Sequence, residues 1–443
     1  MLTAQVLYNF EGALQSIANV FWATWWLFLP IILLFILRDV WLTYVHDRTV
    51  RGIKWALLEI KIPKEILKTP KSMEQVFAAV YADYSHGWSS VQQYYLGDVD
   101  SWYSFEVVGY AGGIHFYLFL SEKLRNNMEA AIYYQYPQAE IHEVEDYTEL
   151  LPKVLPNESY DLWGTDLILG KDSYYPIRTY PYFEEVKDEK RVDPIAALTE
   201  VMSGLKGEER LWWQVVVSPS TSERRINNQW KEEGQKKIAE ITGQKKEVKK
   251  GIGDALADWL RNLIWAPLES PTWGEAVKKE TTAALKFLSP AEQEVVKAID
   301  SKTSKLGCET TVRFIYMDKK ETFTTANATA VMGTVRQFNT QNLNYFKPGK
   351  ELTSVTGWKA EFLPLYKKLK LYSKKKKLFS NYKLRKLGTR MVGKYRRSTA
   401  KIHTFNTEEL ATIYHFPTIV VEAPKLRRLE SKKGGPPATL PIE

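Results

Sequence analysis

Trp55-Ala-Leu-Leu-Glu-Ile-Lys-Ile62 sets the fold of this chain. Its side chains alternate about Glu59 and Lys61, and Pro63, which has no backbone N–H to give a ladder, closes the run as a strand. Working outward, Met73, Val76, Phe77, Val80 and Tyr81 fall at helical spacing behind a Ser72 cap, with Glu74 and Gln75 in the first turn. Strands follow at Trp102–Gly109 and Ile114–Leu120, joined through Gly112-Gly113. A second helix is expected over Glu122–Gln135 and a last strand over Ala139–Val144.

Strand-helix-strand-strand-helix-strand is the ferredoxin-like order. It recurs further along. A strand region spans Asp166–Tyr180, and Asp193-Pro194 opens a helix through Leu205, with Asp as cap and Pro at the first position. Leu211-Trp-Trp-Gln-Val-Val-Val217 and Thr310–Tyr316 read as strands, a helix is expected from Lys320 to Phe338, and Thr418–Glu422 is the candidate last strand. The fold class is therefore α+β, with ferredoxin-like (βαββαβ) units at 54–150 and 160–345. The second carries a helical insertion at 219–305. Within it Arg224–Lys250 reads as an exposed, charge-dense helix. Ile252, Leu256, Trp259, Leu260, Leu263 and Ile264 form an apolar packing face, and Glu275–Ile299 reads as an amphipathic helix.

Ahead of these units, Phe21–Leu37 (FWATWWLFLPIILLFIL) carries no charge. About 20 apolar residues cross a bilayer core as a helix, so 21–45 is expected to span a membrane and 1–20 to lie outside it. Trp22, Trp25, Trp26 and Trp41 sit where an interfacial aromatic belt belongs, and Pro30 is a kink position. Glu11 precedes the span with no Lys or Arg, whereas Arg38, Arg48, Arg51, Lys54, Lys61 and Lys64 follow it. Positive flanks stay cytoplasmic, which predicts a single-pass inner-membrane protein with its large domain inside. Cys308 is the lone cysteine, so no disulfide framework exists, in keeping with a reducing compartment.

The net charge of +9 is concentrated in one place. Between Lys359 and His403 stand sixteen Lys/Arg against the single acid Glu361, which leaves the rest of the chain net negative. The candidate contact residues in this basic segment are Lys367, Lys368, Lys370, Lys374, Lys375, Lys376, Lys377, Lys383, Arg385, Lys386, Arg390, Lys394, Arg396 and Arg397, interleaved with Tyr366, Tyr372, Phe379, Tyr382 and Tyr395. Three readings stay open. Lys/Arg with stacking aromatics suits nucleic acid. Charge alone suits anionic lipid. A solvated face that keeps a membrane-proximal domain soluble is the third.

Catalytic signatures are not found. No Gly-x-x-x-x-Gly-Lys-Ser/Thr loop, Gly-x-Ser-x-Gly elbow or His-Glu-x-x-His occurs. The six histidines lack metal-ligand spacing, and Glu184-Glu185 and Glu408-Glu409 are adjacent pairs that do not converge on one point. The expectation is a non-enzyme with no cofactor and no metal.

Near the carboxyl end, Asn406-Thr-Glu-Glu-Leu-Ala-Thr-Ile-Tyr-His-Phe-Pro417, Val420–Pro424 and Lys432-Lys-Gly-Gly-Pro-Pro-Ala-Thr-Leu-Pro441 resemble a segment just upstream of an ATPase core. The family is the membrane-anchored, coupling-protein-like ATPases of conjugation and type IV secretion. Lys61-Ile-Pro63, Lys71–Phe77, Leu162-Trp-Gly-Thr165 and Arg336–Asn344 look like its amino-terminal region. No Walker residues have a counterpart, so the resemblance implies an anchoring subunit of a transfer machine that docks a separately encoded AAA/RecA-type ATPase. Asn406, Glu408, Glu409, Tyr414, His415, Phe416 and Pro417 are the expected docking residues. The alternative is a membrane-tethered scaffold that binds nucleic acid or anionic lipid through 359–403; homo-oligomerisation is left open.

Overall fold

The computed structural model describes residues 2–63, 68–83, 91, 95–97, 99–111, 113–184, 193–219, 229–243, 288–349, 364–387, 402–417 and 428–429. Helix α1 (Leu2–Gly52) leads into β1 (Trp55–Pro63), α2 (Pro70–Ala79), β2 (Tyr103–Tyr110), β3 (Gly113–Ser121), α3 (Arg125–Gln135) and β4 (Glu140–Glu143). Then come β5 (Tyr160–Leu169), α4 (Pro181–Glu184), α5 (Ala196–Ser203), β6 (Arg210–Pro219), α6 (Gln229–Ile241), α7 (Pro290–Ser304) and β7 (Gly307–Lys319). The chain continues through α8 (Ala326–Val335), β8 (Phe346–Pro348), α9 (Pro364–Lys383), β9 (His403–Asn406), α10 (Thr407–Ile413) and β10 (Arg428–Leu429).

Among the described residues these strands make one mixed α+β sheet of ten strands, antiparallel except where β10 joins β1. Across it the path is β4-β1-β3-β2-β6-β7-β5-β8, with β9 pairing the first residues of β7. The seam between halves is the β2–β6 pair, in register from Tyr103↔Val217 to Tyr110↔Arg210. Each half has the same order read outward from that seam. The outermost position of the second half belongs to Phe346–Pro348, against Leu167–Leu169 of β5. Thr418–Glu422, the strand expected there, lies outside the described residues.

Both faces of the sheet are covered. Tyr103, Phe105 and Val107 of β2, Leu211, Trp213 and Val215 of β6, and Val312, Phe314 and Tyr316 of β7 point to one face. There α2, α3, α5, α8 and α10 pack through Phe77, Met128, Met202, Val331 and Leu410. On the other face Leu57, Val108, Trp212, Ile315 and Met317 meet Leu378, Phe379 and Tyr382 of α9 and Tyr147, Leu151 and Leu155. A strand buried on both sides loses the polar alternate positions that a half-exposed strand keeps, which explains the apolar run 211–217. Each large side chain so buried contributes about 1.5–3 kcal/mol.

The described part of the insertion is the α6–α7 pair. Ser289 and Glu292 form a reciprocal capping box with Pro290 at the first helical position, which fixes where α7 starts. Gly234 of α6 lies so close to Thr303 and Tyr174 that a Cβ there would meet Thr303 Cγ2 at 2.8 Å. The apolar face at 252–264 and most of the expected helix 275–299 lie outside the described residues.

Helix α1 is apolar and long enough to cross a membrane from Phe28 to Gly52, and only 11% of an 18-residue apolar window within that stretch is buried. Trp22, Trp25, Trp26, Pro30 and Trp41 all lie exposed along it. Its last turns are fastened to the domain: Leu42 and Val45 are buried, and Thr49 Oγ1 donates to Leu96 O at 2.9 Å. Gly97, at φ +71°, allows this approach, because a Cβ would sit 2.4 Å from a Val45 methyl.

Candidate functional site

The α9 face of the sheet carries a line of polar residues where apolar ones would be expected. Glu106 on β2 stands opposite Gln214 on β6, Gln214 opposite Arg313 on β7, and Arg313 opposite Asp166 on β5. All four are almost wholly buried. Arg313 donates from Nε to Asp166 at 3.0 Å and from its two terminal nitrogens to Asn381 O and Lys386 O, both at 2.6 Å. It thereby caps the last carbonyls of α9, where a cation also suits the helix dipole. Glu106 accepts from Ser104 at 2.6 Å, Gln214 at 2.8 Å, Tyr147 at 2.7 Å and Arg385 Nε at 3.0 Å.

Arg385 completes the clamp. Lys386 N donates to Asn381 O and Arg385 N to Tyr382 O, the two bonds of a Schellman ending. Its left-handed position, usually Gly, is held by Arg385 at φ +46°. The guanidinium is 2% exposed and also bonds Asp146, whose carboxyl burial pushes up but whose hydrogen bond and charge contact with Arg385 bring it below its ordinary value. Burial, then Glu106's charge, raises the phenols of Tyr147 and Tyr382 well above their usual range. Arg385, a candidate contact residue in the sequence, is thus placed inside the chain, its charge paired with Glu106 and Asp146.

The clamp aims the rest of α9. Leu387 packs with Trp102 and Val216 beside Val50 and Trp55, next to the end of α1. Lys375 pairs with Asp161 at 2.6 Å, at the opposite end of β5 and β7. The residues between Thr310 and Lys319 separate those ends by about 30 Å of strand. The first turns of α9, Pro364 to Lys374, continue about 15 Å beyond that point, away from α1. Leu365, Tyr366, Leu369 and Tyr372 are exposed there, the first at 72%. Lys367, Lys368 and Lys376 are exposed as well.

The other predicted basic residues are placed differently. Lys370 lies over the Tyr366 ring, Lys374 and Lys377 are half-buried with contacts in the chain, and Lys383 pairs with Glu149 at 3.0 Å. Lys386 is half-buried, while Arg390, Lys394, Arg396 and Arg397 lie outside the described residues.

The expected docking residues turn inward. Asn406 caps α10 in a capping box with Glu409, and Glu409 is fully buried against Lys302 at 2.8 Å. His415 sits between Ala411 O at 2.8 Å and Asp193 at 2.7 Å. Tyr414 lies 5.2 Å from Phe105, Phe416 5.1 Å from Tyr136, and Pro417 is buried. Glu408 keeps 14% exposure and pairs with Lys305, which also holds Glu74 of α2. Buried side chains that already satisfy one another offer a partner no surface. Residues 406–417 are a clasp between the two halves of the sheet.

The family described as Domain of unknown function (DUF8128) matches residues 52–427, most of the chain. The chain belongs to that family. No curated protein matches the chain. The DUF8128 span takes in the sheet apart from β10, together with α9 and the clasp, and it begins at the last residue of α1.

Among the described residues, no group of His, Cys, Asp and Glu is arranged to hold a metal ion. Cys308 is buried, and burial pushes its thiol up to about 12. Since the thiolate is the nucleophile, native protein at pH 8 should resist alkylation of Cys308 and become labelled only in denaturant. Rapid native labelling would show that this strand opens. Glu106, Gln214, Arg313 and Asp166 escaped the sequence reading, although each is a polar residue inside an apolar strand run, a signal that is visible once sought.

Proposed function

We propose that this chain is a membrane-tethered, non-enzymatic scaffold that presents the outer turns of α9 to a nucleic acid on the cytoplasmic side of the inner membrane. The observation that carries this reading is the pairing of exposed Lys367, Lys368 and Lys376 with exposed Tyr366 and Tyr372 on a helix clamped at its other end. Lysines meet phosphates and tyrosines stack on bases, and a fixed helix loses little entropy on binding. Anionic lipid is the weaker candidate for α9. These turns lie more than about 30 Å beyond the end of α1, several times the ~8 Å Debye length at physiological salt.

Two ferredoxin-like units joined edge to edge are the proposed architecture; the matching strand order on each side of the β2–β6 seam supports it. The positive flank after α1 supports a cytoplasmic domain. Of the functional readings the sequence offers, membership of a DNA-transfer machine with a separate ATPase fits this scaffold through the nucleic acid. The clasp residues are too deeply buried to be its ATPase contact.

Anisotropy titrations of a labelled single-stranded oligonucleotide against full-length protein in zwitterionic nanodiscs, over a range of salt, test the proposal. Combining Lys367→Gln, Lys368→Gln and Lys376→Gln should flatten the log–log salt slope by about 2, at roughly 0.7 per lost phosphate contact. Tyr366→Ala with Tyr372→Ala should weaken binding by about 1–3 kcal/mol per stacked base without changing the slope. An unchanged slope in the lysine variant would remove α9 as the interface.

A further inference from the structure

Where α1 meets the domain there is an open cleft of about 1130 Å³. That exceeds the roughly 300–1,000 Å³ of sites for drug-sized ligands. One wall is the end of α1, with Trp41 and Tyr44; the other includes Tyr95 and Trp102. Arg48, Lys54 and Lys123 line it, with Asp100 and Glu122 as the acids. None of the three cations has an ion-pair partner among the described residues. The wall is firmly built: Trp55 packs between Trp102 at 4.5 Å and Phe119 at 4.9 Å, and the Gly97–Val45 contact locks 95–97 to the helix. Trp102, 4% exposed, is itself packed against Val216 and Leu387.

We infer that this cleft holds one anionic phospholipid from the surrounding bilayer. The inference rests on α1 spanning the membrane, which places the cleft at the interface, directly below the exposed apolar face of residues 28–41. The occupant must be apolar at the end that continues into the bilayer, where Trp41 and Tyr44 stand. It must be negative at the end facing Arg48, Lys54 and Lys123. A phospholipid meets both demands in one molecule, with its acyl chains and its phosphate. A soluble anion lacks the apolar part, and a zwitterionic lipid brings a second cation to an already cationic rim. The site is separate from α9, whose outer turns lie at the far end of the sheet.

Native mass spectrometry of the full-length protein, released from micelles doped with equal phosphatidylglycerol and phosphatidylcholine, reads the site directly. The expected result is one retained phosphatidylglycerol per chain. Arg48→Gln, Lys54→Gln and Lys123→Gln together, all at exposed positions, should lower retention roughly a hundredfold, at about fivefold per basic residue. No adduct, equal retention of both lipids, or full retention by the triple variant would overturn the proposal. Carbonate extraction of native membranes separates the two ideas. A chain that stays in the pellet but holds no phosphatidylglycerol has an anchor and no lipid site; a chain released to the supernatant ends both.

Discussion

Replacing Arg385 with Ala should cost about 3–5 kcal/mol of stability, read as the loss in denaturant-unfolding free energy of the full-length protein followed by tryptophan fluorescence. The reason is Glu106. Its carboxylate is wholly buried, and Arg385 is the cation that hydrogen-bonds it, so removing the guanidinium strands a charge inside the sheet. Arg385→Gly should be milder by about 1 kcal/mol, because the left-handed conformation at φ +46° is free for Gly and strained for Ala. Pairing Arg385→Met with Glu106→Gln should recover most of the loss, since the wholly buried charge is then gone and the carboxylate left behind, Asp146, is 29% exposed. The pH dependence follows from Asp146. Its folded carboxyl lies below the unfolded value of about 3.9, so its stabilisation is present above that pH and fades as pH falls through the folded pKa. In the Arg385→Ala protein this acid-limb contribution should disappear. A loss under about 1 kcal/mol would mean that the clamp does not hold α9.

The clamp also shows what the sequence can and cannot display. Local periodicity was sufficient to place β1, α2, β2, β3, α3 and β4, since each is long enough to show a 2.0 or 3.6 repeat or a recognisable cap. It was insufficient for Phe346–Pro348, a three-residue strand with no period to detect. The β2–β6 seam was hidden for a different reason. Pairing Tyr103 with Val217 is a long-range choice that neither strand's own residues encode. The same non-locality misled the reading of residues 406–417, whose aromatics and capping box are plain in sequence while their burial depends on α2, α7 and the sheet. For α9, charge density marks the basic segment but does not tell its buried cations from its exposed ones. Lys367 and Arg385 look alike in a list of cations, and only the Schellman ending and Glu106 turn one outward and the other in. Arg385 where Gly is the usual choice is the local rule broken for a tertiary reason.

Lys302→Ala should be as damaging as the loss of Arg385, again by about 3–5 kcal/mol, and for a related but separable cause. Lys302 and Glu409 are both fully buried, 2.8 Å apart, and join α7 to α10. Burial pulls each toward its neutral form, lowering the lysine and raising the carboxyl, while their mutual attraction opposes both shifts. Deleting the lysine leaves the carboxyl alone inside the protein. The clasp differs from the α9 clamp in what a double replacement can restore. Glu409 also accepts from Ile177 N at 2.9 Å and from Asn406 N at 3.0 Å, so Lys302→Met with Glu409→Leu leaves two backbone donors orphaned. That double variant should remain at least about 2 kcal/mol below wild type, whereas Lys302→Met with Glu409→Gln, whose amide oxygen still accepts, should recover more. Because Tyr414 and Phe416 reach the core of the first half and Glu409 that of the second, the loosened clasp should also expose 406–417 to limited proteolysis before the sheet unfolds. Full recovery by the Leu double variant, or cleavage no faster than in wild type, would show that these residues do not join the two halves.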